Sequence, residues 1–516
     1  MQQSQSKQQV GGILGFIECI GNKIPDITIL FISAFLLVCV VSAVLAQIHF
    51  NYVHPATGRP IEITNMLSGK ALVDLMSKMV TNYANFPPLS MVIVATLGIG
   101  IADGSGYINT GLKKILSITP KVLITPVVIL VGMLSHLGPD SGYVIIIPIA
   151  AYMFYAVGKH PLAGIAASFA GIAGAFAANY TPSAIDPVIQ GFTQSAAQII
   201  DPGYQVNVLC NYFYAFASTF IVIGACWWVT EKITNPWLWK ACPLDDDLDL
   251  GNENNSSITP SENRAFKIAT AVLLLMLTGL AAALYPADSI LRAPDGVIAS
   301  FKAPIMQSIV SLIFIFAALV GLVYGIACGK FKSPKDVTAA MEEITKTLVQ
   351  LIVFYFFAAQ FLYAFGASNM GALIAVSGAE FLKSLNLPPQ VTVFGIIVFV
   401  ALLNLIITSA SAKWAILAPI FVPMLMAVGI APELTQVAFR VSDSAVNVVT
   451  PMFAFYPLII LYCQKYVKNA GIGTLSSMML PYTIALLVSL TFMLYLFWWL
   501  DIPLGFQADY VYPRRF

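Results

Sequence analysis

The chain has 516 residues, of which 58% are hydrophobic and only 10% charged, and its formal net charge is +1. With a mean hydropathy of +0.82, that much apolar surface cannot be folded around one aqueous core, so a soluble globular protein is excluded and most of the chain must lie in lipid. No cluster of Lys and Arg with interleaved aromatics supports a nucleic-acid binder, and the seven scattered cysteines, with no CxxC pair, indicate neither a disulfide frame nor a zinc site.

From the N-terminus, the polar leader Met1 to Gly12 lacks a short apolar core followed by a small-residue cleavage site. The first span, Ile27 to Ala46, is therefore expected to be retained. A second span, Pro88 to Ala102, follows a polar stretch (Asn51 to Thr64) and a modestly amphipathic one (Leu72 to Met79) that predicts a surface helix. Lys7 and Lys23 precede the first span, and Lys113, Lys114 and Lys121 follow the second, so the N-terminus is expected in the cytoplasm and the stretch between the spans outside.

Next comes a hairpin-like element over about 122–157. Val122 to Leu137 ends in the tip His136-Leu-Gly-Pro-Asp140, and Tyr143 to Val157 resumes. His136 titrates near neutrality in its free form, although a structural hydrogen bond is the simpler reading for a lone histidine. After the breaker-rich run Thr181 to Pro187, which carries Asp186, a span covers Tyr212 to Thr230. Residues 231–265 are the most polar block and read as a cytoplasmic linker between two halves, 1–230 and 266–516.

The second half has spans at Ile268 to Tyr285, Pro304 to Cys328 and Thr347 to Phe365, then a second hairpin over about 391–428, and finally Tyr482 to Leu500. In this hairpin Val391 to Thr408 ends at the tip Ser409-Ala-Ser-Ala-Lys413, and Trp414 to Val428 resumes. Lys330, Lys332, Lys335, Lys465 and Lys468 lie inside by the charge rule. Arg514 and Arg515 are left outside, against it.

The two hairpins look like copies. Tyr143 falls on Trp414, Pro148 on Pro419, Ala156-Val-Gly158 on Ala427-Val-Gly429 and Pro161 on Pro432. Paired, interrupted hydrophobic segments of this kind point to the binding site of a secondary transporter. Backbone groups freed at such breaks need protein, ions or water as partners, because lipid offers none.

The second half then supplies the chemistry. In the run Glu433 to Thr450, Arg440, Asp443 and Asn447 share one helical face. Ionisable groups at membrane depth cost about 2.5 to 3.5 kcal/mol each, so they face an interior cavity and mark a pathway. Arg440 offers a planar fork for a carboxylate or sulfonyl group. Asp443 suits a proton or a cation, and Asn404 and Asn447 add amide oxygens of the kind hard cations take. Ser409 and Ser411 add further oxygens, and Trp414 an aryl face.

Spacing leaves open that Arg440 and Asp443 merely neutralise each other, that Trp414 only packs, and that Pro432 and Pro451 only bracket the helix. In the first copy the matching positions are Phe169, Ile172 and Phe176, so the copies are not chemically equivalent. The first half offers Asp140, Asn179 and Asp186 instead.

These segments, SASAKWAILAPIFVPM and FRVSDSAVNVVTPM with SHLGPDSGYVIIIPIAAYMFYAVGKHPLAGIAA and FAANYTPSAID, resemble the aminobenzoyl-glutamate transporter (AbgT) family over essentially the whole chain. The resemblance implies an all-α polytopic membrane protein with about nine transmembrane helices and two re-entrant hairpins, built on an inverted internal repeat. It also implies a bowl-shaped homodimer in a bacterial inner membrane. Import of p-aminobenzoyl-glutamate, or export of p-aminobenzoate and sulfonamide antimetabolites, would be driven by a sodium or proton gradient, with no other cofactor.

Carried over by position, the substrate-binding residues would be Asp186, Ser411, Trp414, Pro432, Arg440, Asp443 and Pro451. A sodium site would draw on Asn404, Asp443 and Asn447. Lys413 is a departure, standing where some members carry an apolar residue, and it bears on how anionic the preferred substrate is.

Three other functions compete. A sodium-coupled carrier of dicarboxylates or short-chain fatty acids would use similar Ser- and Asn-rich tips. An intramembrane aspartyl protease could pair Asp186 with Asp443, but GxGD, GxSG and HExxH are all missing from the sequence, so the chain is not expected to be an enzyme. A passive channel would need no gradient to move its solute.

Overall fold

A computed structural model describes residues 25–54, 58–135, 141–245, 258–298, 300 and 302–512. The described residues are helical, with no strand beyond two isolated bridges. In the first half the helices are α1 (Ile27–Leu45), α2 (Gly69–Ala84), α3 (Pro87–Ser105), α4 (Tyr107–Ser117), α5 (Ile124–Leu134), α6 (Ser141–Ala156), α7 (Pro161–Phe169), α8 (Ile185–Ala197), α9 (Tyr212–Val229) and α10 (Asn235–Ala241). The second half has α11 (Pro260–Leu284), α12 (Pro304–Gln307), α13 (Ile309–Cys328), α14 (Pro334–Lys346), α15 (Val349–Ala367), α16 (Met370–Ser384), α17 (Pro389–Asn404), α18 (Ala410–Met426), α19 (Pro432–Val446), α20 (Tyr456–Gln464) and α21 (Ile472–Trp499).

By length and composition, seven stretches among the described residues can cross a membrane, and the pair α16 and α17, bent by 117°, makes an eighth if taken as one span. A helix is present where one was expected near Leu72 to Met79: it is α2, capped by the Ser68 side chain at the Ala71 N–H, and with α3 it makes up one of these stretches, Gly69–Ser105.

Three boundaries differ from the sequence reading. The stretch 231–265, expected as a linker, is helical at both ends: helix continues from α9 through a π turn at Thr230–Thr234 into α10, where Leu238 is buried, and α11 starts at Pro260. Its start is fixed by a capping box in which the Thr259 hydroxyl receives the Glu262 N–H while the Glu262 carboxylate accepts from the Thr259 N–H. The span expected from Pro304 to Cys328 is broken at Ser308, because Pro304 opens a separate turn that ends before α13 begins. The first limb of the second hairpin stops at Asn404, four residues short of Thr408, for reasons that belong to the site.

Both hairpins are present as helix pairs. The limbs of the first, α5 and α6, close where Gly142 meets Ser135: a Cβ on Gly142 would lie 2.3 Å from the Ser135 hydroxyl. Its tip, with His136 and Asp140, lies outside the described residues. The second limbs, α6 and α18, end identically. Gly158 and Gly429 take φ of +76° and +89°, and the Lys159 and Ile430 N–H groups reach back to the Phe154 and Leu425 carbonyls, both at 2.9 Å. A left-handed glycine that closes the last turn in this way satisfies carbonyls that lipid could not.

The two halves interleave. Helices α1, α3, α8 and α9 pack against α15, α13, α18 and α21 respectively. The tightest crossing is between α3 and α13, where a Cβ on Gly98 would lie 2.4 Å from the Phe314 carbonyl oxygen and one on Gly321 2.5 Å from the Ala102 backbone. Small residues that bring backbones this close are the packing device of membrane helices, where no hydrophobic force separates helix from lipid. Within this frame α19 is buried along its whole length.

Candidate functional site

The site forms where α19 meets the interrupted ends of α8 and of the second hairpin. Helix α17 ends because the chain turns at Leu405 to Ser409, and the turn leaves main-chain carbonyls without helical partners. Two side chains take them up: the Thr450 hydroxyl donates to the Leu405 carbonyl at 2.7 Å and the Lys413 ammonium to the Ile407 carbonyl at 3.1 Å. The Ser409 side chain then caps α18 at the Ala412 N–H.

Arg440 and Asp443, read from spacing as face-mates on one helix, do not pair with each other. The Arg440 Nη1 lies 2.7 Å from Asp186 Oδ1, across from the first half. Asp186 is held for this by Ser183, whose N–H and hydroxyl both donate to Asp186 Oδ2, at 2.8 and 3.0 Å. The remaining Arg440 donors, Nε and Nη2, are buried without a hydrogen-bond partner.

Asp443 meets Lys413 instead. The Lys413 Nζ is 2.6 Å from Asp443 Oδ1, and both side chains are 0% exposed. The same ammonium contacts Asn404 Oδ1 and stands 5.8 Å from the centre of the Phe439 ring. The Asn404 amide donates to the Asp443 carbonyl at 2.7 Å and to Asn447 Oδ1 at 3.1 Å. The three residues expected to ligate sodium are thus brought together, with an ammonium among them that spacing gave no reason to expect. Both Asp443 carboxylate oxygens are buried and receive no hydrogen bond, so the Lys413 contact is an ion pair without one.

Trp414 is fully buried, its indole stacked on Phe439 with centroids 4.4 Å apart and its Nε1 donating to the Thr193 hydroxyl at 2.9 Å. Thr193 in turn donates to Gln436, whose amide donates to Asn211. This chain pins α19 to the first half. Neither Thr193 nor Gln436 stands out in the sequence, since each is an isolated polar residue in an apolar helix and their meeting depends on the tertiary fold.

Two cavities adjoin these groups. One of about 330 Å³ is lined by Tyr143, Phe176, Asn179, Ser183 and Ser411 together with residues of α3 and α15, so both hairpins contribute to it. The other, about 10 Å³, lies against Arg440, Asp186, Asn179, Thr181 and Tyr212. The larger is at the small end of the range of ligand pockets, and the smaller has room for about one water. The segment Thr181 to Pro187 stands between them, with Ser183 to Ile185 on one and Thr181 and Asp186 on the other. Of the expected substrate residues, Ser411 lines the larger cavity and Asp186 and Arg440 the smaller. Trp414, Asp443, Pro432 and Pro451 line neither, and Pro432 sits at the first position of α19.

Chemically, this is a buried guanidinium with spare donors beside a mostly apolar cavity with aromatic walls, a setting that suits an aryl group joined to an anion.

Comparison with known proteins agrees. The sequence pattern of the AbgT putative transporter family matches residues 12–512. The p-aminobenzoyl-glutamate transport protein of Escherichia coli (strain K12) is 32% identical over 511 residues, 99% of this chain and 98% of that protein. Two solved structures have similar folds. The YdaH transporter of Alcanivorax borkumensis is 37% identical with a TM-score of 0.87, over 93% of this chain and 100% of that one. MtrF of Neisseria gonorrhoeae, described as illuminating a class of antimetabolite efflux pumps, is 39% identical with a TM-score of 0.90, over 96% of this chain and 100% of that one.

Proposed function

Because the chain belongs to the AbgT family of transporters and is a multi-pass membrane protein, we propose that it is an ion-coupled secondary carrier of p-aminobenzoyl-glutamate and related aryl carboxylates, with sulfonamide antimetabolites as further substrates. The observation that carries this reading is Arg440. Its guanidinium is buried, neutralised by Asp186 on one nitrogen only, and retains two donors with no protein acceptor. Such donors are costly to leave unmade, and a substrate carboxylate satisfies them with bidentate geometry. The cavity beside Tyr143 and Phe176 receives the aryl end.

The names of the relatives support the substrate class: one is a p-aminobenzoyl-glutamate transport protein and another an antimetabolite efflux pump. Transport proceeds by alternating access around the two broken helices, in a homodimer of the bacterial inner membrane with the N-terminus in the cytoplasm.

The test is accumulation of labelled p-aminobenzoyl-glutamate in proteoliposomes under an imposed ion gradient, with succinate as the competing substrate. Gradient-dependent accumulation, insensitive to excess succinate, is expected. Preference for succinate would transfer the assignment to a dicarboxylate carrier, and equal flux without any gradient would make the protein a channel.

A further inference from the structure

We propose that the Lys413 ammonium is a resident cation: it fills the oxygen cage created by the helix break between α17 and α18, so this carrier takes no sodium ion there. The inference rests on the carrier reading above and concerns which ion that carrier can use.

The cage is built from oxygens of the kinds that hard cations select: a carboxylate from Asp443, an amide oxygen from Asn404 and a main-chain carbonyl from Ile407, freed by the end of α17. An ammonium has three N–H donors and no acceptor. Here the ammonium donates to Asn404 Oδ1 and to the Ile407 carbonyl and is ion-paired with the Asp443 carboxylate, so three oxygens of the cage face it. The other amide oxygen in reach, Asn447 Oδ1, already accepts from the Asn404 amide, which holds both asparagines in orientations suited to Lys413.

The charges lead to the same result. Asp443 is neutralised by Lys413 and Asp186 by Arg440, at 2.6 and 2.7 Å. The four buried charges therefore sum to zero, and a sodium ion entering this group would be an uncompensated positive charge in a buried site. Nor is Lys413 placed where a lysine is otherwise favoured. It lies in the first turn of α18, its N–H bonded to the Ser409 carbonyl, where the helix dipole repels a cation. The cage, together with the Phe439 ring below it, is what holds the charge there. The residues read from the sequence as a sodium site thus do not fit sodium while Lys413 is present.

Binding of radioactive sodium to the purified full-length protein tests this directly, beside flux measured at fixed pH with sodium replaced by choline. The wild type is expected to show no saturable sodium binding, and its proton-gradient-driven accumulation of p-aminobenzoyl-glutamate is expected to persist without sodium. Lys413→Ala empties the cage and leaves Asp443 uncompensated, so it should gain saturable binding of one sodium ion per protomer. That gain should be lost in Lys413→Ala combined with Asp443→Asn.

Saturable sodium binding by the wild type, sodium-dependent flux, or a folded Lys413→Ala protein that binds no sodium would each overturn the proposal. If Lys413→Ala does not fold, the wild-type binding measurement decides alone. Failure of accumulation under every gradient would instead overturn the function proposed above and leave the binding result standing.

Discussion

At the scale of single residues, the site is two ion pairs that cross between elements, Arg440 with Asp186 and Lys413 with Asp443. Removing one partner of a buried pair strands the other charge, at a cost of roughly 3 to 5 kcal/mol, whereas removing both costs far less. Asp186→Ala and Arg440→Ala should each lower the unfolding temperature in detergent, and the double variant should regain much of the loss. Additive losses in that cycle would mean that the pair is not coupled.

Arg440→Lys keeps the charge toward Asp186 but loses the planar fork. Weakened substrate binding, read from the substrate dependence of uptake, is the expected result, and unchanged affinity would exclude direct contact. Asp443→Ala should abolish gradient-driven accumulation while the protein still inserts, with normal accumulation the contrary outcome. The sequence made Arg440, Asp443 and Asn447 legible because polar residues at helical spacing in an apolar run are conspicuous. Their partners were not legible. Asp186 belongs to the other half, and Lys413 joins Asp443 only because the chain reverses at Ser409.

Among the elements, interruptions and close crossings decide the architecture. Gly98→Val would place a branched side chain where even a Cβ lies 2.4 Å from the Phe314 carbonyl oxygen. The crossing of α3 and α13 cannot form with that residue, and loss of a monodisperse peak in size-exclusion chromatography should report it. Gly224→Val is the control, since nothing lies within 4 Å of a Cβ there.

Most helices were readable from hydrophobic runs, and the two hairpins from their repeated Ala-Val-Gly ends. The start of α11 was readable in principle from Thr259-Pro-Ser-Glu262, but apolarity alone placed it eight residues late. The break at Ser308 follows the short turn Pro304–Gln307, which buries Ile305 and Met306 and which hydropathy does not register. The early end of α17 depends on Thr450 and Lys413 receiving its carbonyls, a tertiary effect.

For the whole molecule, the organising fact is that the two halves pack extensively against each other, α1, α3, α8 and α9 of the first lying on α15, α13, α18 and α21 of the second. Helices inserted separately can associate afterwards in the bilayer. Fragments 1–249 and 250–516, co-expressed as separate chains, should therefore co-purify through a tag on either one and restore uptake. Failure to associate would show that the covalent connection is needed for assembly.

The short stretch from Thr181 to Pro187 has a consequence at this scale too. It divides a chamber of about 330 Å³ walled by Tyr143 and Phe176 from a nook the size of one water beside Arg440. A solute of the proposed class that engages both must reach past that divider, so its affinity is expected to depend on its length as well as its charge.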